Sequence, residues 1–128
     1  MPLNRSTPVH YAQMDDHTTL ADLRRRIAEF IAARDWEQFH TPKDVSAAIA
    51  IEAAELMEHF LWLTDDQVRA ALQDEGELTA VADEMADVML YTLVLANALD
   101  VDVSQVVLEK LSRNEERFPA AEWHGRAS

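Results

Sequence analysis

No cysteine occurs among the 128 residues, which removes a disulfide framework, a thiolate metal site and a cysteine nucleophile together. Glycine is almost as scarce: Gly76 and Gly125 are the only two, too few for a phosphate-cradling P-loop. No HExxH run is present, so a zinc protease drops out. Basic residues are also few, with 11 Lys plus Arg against 24 Asp plus Glu and a net charge of −13. A duplex or RNA groove needs a basic footprint for its phosphates, and polymeric nucleic acid is therefore not an expected partner. Long hydrophobic runs are missing. The longest apolar-rich stretch, Met89 to Leu99, contains Thr92 and Asn97 and is too short to span a bilayer, and no apolar leader-like segment opens the chain. No membrane partner is expected, and these absences fit a soluble, cytoplasmic protein.

Apolar residues make up 48% of the chain, Ala and Leu abound, and Pro numbers only four. Such a composition favours long helices over a turn-rich sheet protein, and the length suits one domain. The expected fold class is all-α. Residues 1–16 read as a flexible arm, 17–119 as the domain and 120–128 as a loose tail. Thr18 or Thr19 caps a first helix in which Leu20, Leu23, Ile27, Phe30 and Ile31 keep helical spacing, with Arg24, Arg25 and Arg26 as a solvated face. Residues 34–40 close it, and Thr41-Pro42 opens a second helix over about 43–63. A short third helix follows Thr64 and is broken at Asp74-Glu75-Gly76-Glu77. A long helix covers about 78–99, and Asp102 with Gln105 resembles a capping box for a last helix that Pro119 ends.

Two carboxylate pairs, Glu52/Glu55 and Glu84/Asp87, stand at i, i+3 within two of these helices. At about 100° per residue, Glu52, Glu55, His59 and Trp62 share a sector of roughly 80°. The apolar set Val45, Ile49, Leu56, Phe60 and Leu63 fills the neighbouring sector. The long helix repeats the pattern: Glu84, Asp87 and Tyr91 lie beside Val81, Val88, Leu95 and Leu99. Helices packed along these stripes bring both pairs to one cleft, where four carboxylates repel unless a cation sits among them. Hard oxygen donors suit Mg²⁺ or Mn²⁺. Surface acids making i, i+4 contacts are the bland reading of the same residues. Redox di-iron chemistry lacks its ligands, because Leu56 stands three positions before His59 and the long helix has no His.

Other groups could hold a ligand. Lys110, Asn114 and Arg117 share one face of the last helix and could grip phosphate oxygens, or form a solvated basic end. Trp36, Phe39, Trp62 and Tyr91 could sandwich a base, or belong to the core. His40 and Lys43 sit at a bend between helices. His59 faces the acids and could be an outer partner, though a satisfied structural histidine is the stronger reading, and Glu58, turned outward from Glu55, reads as a solvated neighbour or an outer partner of the acids.

The ordered set Glu52-Ala-Ala-Glu55, 28 intervening residues, Glu84-Met-Ala-Asp87 resembles the ExxE…ExxD motif of the all-α nucleoside triphosphate pyrophosphohydrolases, the MazG-like superfamily. Arg34-Asp-Trp-Glu-Gln-Phe-His40 with Pro42, Trp62, Tyr91 and the ending Lys110…Asn114…Arg117-Phe118-Pro119 is similar to its dCTP pyrophosphatase branch. The likeness covers about residues 20–119. It implies a bundle of four to five helices that oligomerises as a homo-dimer or homo-tetramer through helix packing. It implies Mg²⁺ on Glu52, Glu55, Glu84 and Asp87, a base and sugar pocket at Trp36, Trp62 and Tyr91, and phosphates on Lys110, Asn114 and Arg117. The implied reaction converts a nucleoside triphosphate, dCTP or a modified dCTP first, to the monophosphate and pyrophosphate, a role in cleaning the nucleotide pool. Water would attack the α-phosphorus in line, with Glu55, or Glu52 beside it, taking its proton. Relatives often carry glycines in the first acidic motif, where this chain has Ile51 and Ala54, and some place a His in the first helix, where it has Ile27. The alternative from another class is a helical oligomer that binds nucleotide or a protein partner without turnover.

Overall fold

The computed structural model describes residues 14–128, and the expected arm lies outside the described residues up to residue 13. Among the described residues the elements are all helical: α1 (Met14–His17), α2 (Leu20–Ala32), a 3₁₀ turn (Glu37–Phe39), α3 (Pro42–Glu58), α4 (Asp65–Ala71), α5 (Glu75–Leu99), α6 (Val103–Arg117) and α7 (Ala120–Trp123). Five of these are real helices and α1 and α7 are single turns, so the all-α expectation holds.

Side-chain caps set the boundaries. Thr19 accepts from the Asp22 amide at 3.0 Å while the Asp22 carboxylate accepts from the Thr19 amide at 3.0 Å, a reciprocal box. Thr64 and Gln67 repeat it at 2.9 and 3.2 Å, and Thr41 caps α3 with Pro42 at its first position. Asp102 forms only half a box. Its carboxylate accepts from the Gln105 amide at 2.8 Å, but the Gln105 side chain turns to Glu109 at 3.0 Å. Helices α2 and α5 end near aspartates in left-handed backbone, Asp35 at φ 54° and Asp100 at φ 53°, a conformation that a short polar side chain tolerates better than most.

The second helix stops five residues earlier than its apolar period implies. Beyond Glu58 the amides of His59 and Phe60 reach back three residues, to the Leu56 and Met57 carbonyls, so the chain tightens into turns before the Thr64 cap begins α4. Leu63 and Trp62 consequently leave the α3 face on which sequence phase places them. Gly76 does not break the chain either, because Asp74 caps α5 and the glycine falls in its first turn. After Pro119 the tail makes another helical turn, with Trp123 edge-on to Phe118 at 5.0 Å.

The core lies between α2, α3 and α5. Val45, 1% exposed, packs with Ile31 and Val94, and Ile27, Ile49, Tyr91 and Leu95 close around them. Leu99, expected in this stripe, is exposed. Helices α3 and α5 form the principal contact, α2 adds a second layer on α5, and α6 touches the rest only sparsely. Arg24 leaves the expected solvated face. Its Nε donates to Asn97 Oδ1 at 2.8 Å and Asn97 Nδ2 donates to the Arg24 carbonyl at 3.2 Å, fastening α2 to the end of α5.

Candidate metal and nucleotide site

Packing α3 against α5 brings Glu52, Glu55 and Glu84 together, each offering an oxygen within 4.8 Å of the others'. The helices must run antiparallel here, since Glu52 meets Glu84 while His59, further along α3, meets Glu77, earlier on α5. Glu52 and Glu84 are half-buried and Glu55 is exposed. Oε2 of Glu52 and Oε2 of Glu84 are both sealed from solvent and have no hydrogen-bond donor. A carboxylate oxygen only accepts, so these two atoms need either a shared proton or a cation.

Electrostatics give the same account. The Glu52 carboxyl is pushed up from 4.5 to about 7, first by burial, then by hydrogen bonds to Glu84 and Glu55 that favour its protonated form, then by the charges of Glu55 and Asp87. Without a counter-ion the cluster therefore retains a proton near neutrality. A divalent cation would satisfy both orphaned oxygens and remove the repulsion, and the all-oxygen donor set fits a hard ion.

Asp87 stands at the border between these acids and a cavity of about 260 Å³. Trp36, His40, Asp87 and Tyr91 supply its polar and aromatic wall, and Ile31 and Val94 its aliphatic floor. Trp36 is held from behind, edge-on to Phe30 at 5.8 Å, with the Arg34 guanidinium 3.8 Å above the Phe30 ring. His40 borders a second cavity of about 220 Å³ with Asn97 and Glu37, and its Nδ1 is buried without a partner.

Three of the aromatic or histidine candidates thus converge, and others do not. Trp62, in the turn after α3, is 86% exposed and outside the cavity, and Phe39 is exposed too. Lys110 and Asn114 line a shallow groove on α6 with Val106, Val107 and Leu111, while Arg117 lies over Phe118, 5.0 Å from its ring. None of these three borders the cavity beside the acids. His59 is a satisfied histidine of the favoured kind: its Nδ1–H donates to Glu77 Oε1 at 2.8 Å and not to Glu52, Glu55 or Glu84. Phe30, expected only as part of the apolar face of the first helix, and Leu90, not expected at the site, also line the cavity. Leu90 sits three residues after Asp87, and that spacing was the available signal.

The MazG-like family model matches residues 47–128. The dCTP pyrophosphatase 1 of Homo sapiens is 42% identical over 102 residues, covering 80% of this chain and 60% of that protein. Its Mus musculus counterpart is 41% identical over 101 residues, covering 79% and 59%. The chain thus spans about 60% of the length of these curated relatives. A solved pyrophosphatase from Archaeoglobus fulgidus DSM 4304 superposes with a TM-score of 0.73 at 34% identity, covering 78% of this chain and 92% of that one.

Proposed function

Because the chain belongs to the MazG-like family, we propose that it is a nucleoside triphosphate pyrophosphohydrolase. It converts a deoxynucleoside triphosphate, dCTP or a modified dCTP first, to the monophosphate and pyrophosphate. The observation that carries this reading is the acid cluster with two buried, partnerless oxygens next to a cavity walled by Trp36, His40 and Tyr91. That juxtaposition suits a ligand with a flat polar ring at one end and an anionic tail at the other. The cavity's volume falls just under the roughly 300–1,000 Å³ of whole-ligand pockets, which favours a base inside with phosphates directed toward the carboxylates.

Glu52, Glu55, Glu84 and Asp87 would hold Mg²⁺, with Mn²⁺ as a substitute. When bound, the ion neutralises phosphate charge and makes water a stronger nucleophile. The chain's own residues do the remainder. Trp36 and Tyr91 orient the base, and the unpartnered Nδ1 of His40 reads its polar edge. Glu55, exposed and so reachable by water, takes the proton as the α-phosphorus is attacked in line and pyrophosphate leaves.

Lys110 and Arg117 would neutralise the phosphates bound at a neighbouring protomer's site, and the Asn114 amide would donate a hydrogen bond to them. Two features support a homo-dimer or homo-tetramer: α6 carries exposed Val106, Leu108 and Leu111, and an apolar groove of about 450 Å³ lies along Leu23, Met89 and Leu90. Trp62, exposed in the single chain, would complete the base pocket in the same assembly. A cytoplasmic setting fits the absence of any membrane-crossing helix among the described residues. Incubating the protein with each dNTP and Mg²⁺, with EDTA as control, tests the reading. Monophosphate and pyrophosphate, greatest from dCTP or a modified dCTP, are expected. Binding without either product would leave a non-catalytic nucleotide binder.

A further inference from the structure

Among the described residues, side-chain hydrogen bonds join one long helix to another element at two places. Asn97 ties the C-terminal end of α5 to α2, and Glu77, in the first turn of α5, receives Nδ1–H of His59 at the end of α3. The acids lie between these two ties.

The spacing on each side of the seam is the same. Glu52 to His59 is seven residues along α3, and Glu84 back to Glu77 is seven along α5. Seven residues are about two turns and roughly 10 Å of rise, and the two helices are antiparallel. Glu52–Glu84 and His59–Glu77 are therefore two rungs of one ladder, two turns apart and on the same face. The second rung is not a solvated pair of the kind that contributes little, since its side chains are only 22% and 35% exposed.

The apolar seam between α3 and α5 does not fix this alignment alone. Hydrophobic burial is non-directional and tolerates small axial sliding, whereas three carboxylate oxygens within 4.8 Å of one another do not. A hydrogen bond is directional, and its ends here sit on helix termini of suitable sign: the imidazole at the C-terminal end of α3 and the carboxylate in the first turn of α5. We propose that His59 and Glu77 are positioning residues that set the register in which α3 and α5 present their carboxylates to a divalent cation. This rests on reading the cluster as a cation site.

The test is Mn²⁺ titration followed by electron paramagnetic resonance of the free ion, on the full chain, with metal-free thermal unfolding recorded in parallel. His59→Phe keeps a ring without the donor, Glu77→Leu removes the acceptor, and His59→Asn replaces Nδ1 by an amide donor at a similar reach. His59→Phe and Glu77→Leu should each weaken Mn²⁺ binding about fivefold to tenfold, less than the roughly 10- to 100-fold typical when a direct outer-shell partner is lost. The double variant should be no weaker than the worse single, because the rung acts as a unit, and His59→Asn should stay within about twofold of the parent. Unchanged Mn²⁺ affinity in the folded variants, whatever their melting temperatures, overturns the proposal while leaving the cation site standing. Should His59→Phe fail to fold, Glu77→Leu decides by itself. A parent protein that shows no saturable Mn²⁺ binding overturns the cation reading, and the rung's role with it.

Discussion

The seam between α3 and α5 and the helix α6 are both amphipathic, and they differ in what covers them. Along the seam, Val45 is sealed, and about two turns further along α3 burial and neighbouring carboxylates push the Glu52 carboxyl up to about 7. Along α6 no residue is buried, Leu108 is 65% exposed, and the polar groups Lys110 and Asn114 share a groove with the exposed Val106 and Val107. Burial is thus what turns ordinary acids into a poised cluster, and its absence leaves α6 an exposed apolar and basic surface in the single chain. The chemistry proposed above needs both regions.

The comparison is broken most severely by Glu55→Gln. If the seam carries the chemistry, this change should lower the rate of pyrophosphate release about 10³-fold, with circular dichroism and oligomeric state unchanged. Near-parental turnover with Mg²⁺ present would remove Glu55 as the base. The corresponding blow to α6 is Leu111→Glu, which puts a charge on its apolar face. It should shift analytical ultracentrifugation toward smaller species and raise KM about tenfold or more, the worth of one lost charge-assisted hydrogen bond, without weakening Mn²⁺ binding. A monomeric Leu111→Glu protein of full activity would show that α6 lends nothing to the site.

The smallest effect is a pH dependence that belongs to the seam. With the Glu52 carboxyl raised from 4.5 to about 7, the folded metal-free chain binds more protons than the unfolded one between those values. The contribution of this carboxyl to stability then falls as pH rises through that window. Melting temperature in EDTA should decline from pH 5 to pH 8, and the increment given by Mg²⁺ should be larger at pH 8 than at pH 5. Glu52→Gln should flatten both trends. A metal-free melting temperature indifferent to pH would mean that the acids are not crowded in solution.

Much of this was legible from residues in order. The caps at Thr19, Thr41, Thr64 and Asp102 announce their helices because a side-chain oxygen satisfies amides that the helix itself cannot. The i, i+3 acids announce their face because the helical period is fixed. Legibility failed where several weak signals competed. Phe60 and Leu63 continue the apolar period past the true end of α3, and nothing local says that the chain tightens into turns there. Gly76 looks like a breaker, but a first turn has few intrahelical bonds to lose and Asp74 supplies the cap. The arginine run looks uniformly solvated until Asn97, 73 residues away from Arg24, supplies a partner.

Taken alone, the order of residues determined the helical class, the two acidic couples and their apolar neighbours, since these depend on composition and on a period of 3.6. Which acids meet, how far each is shielded, that Trp36, His40 and Tyr91 wall one cavity while Trp62 stands in solvent, and that His59 answers to Glu77 were decided only when α3, α5 and α2 packed. Those outcomes depend on distances between segments remote in the chain. No local periodicity encodes such distances; helix packing together with the directional hydrogen bonds between helices fixes them.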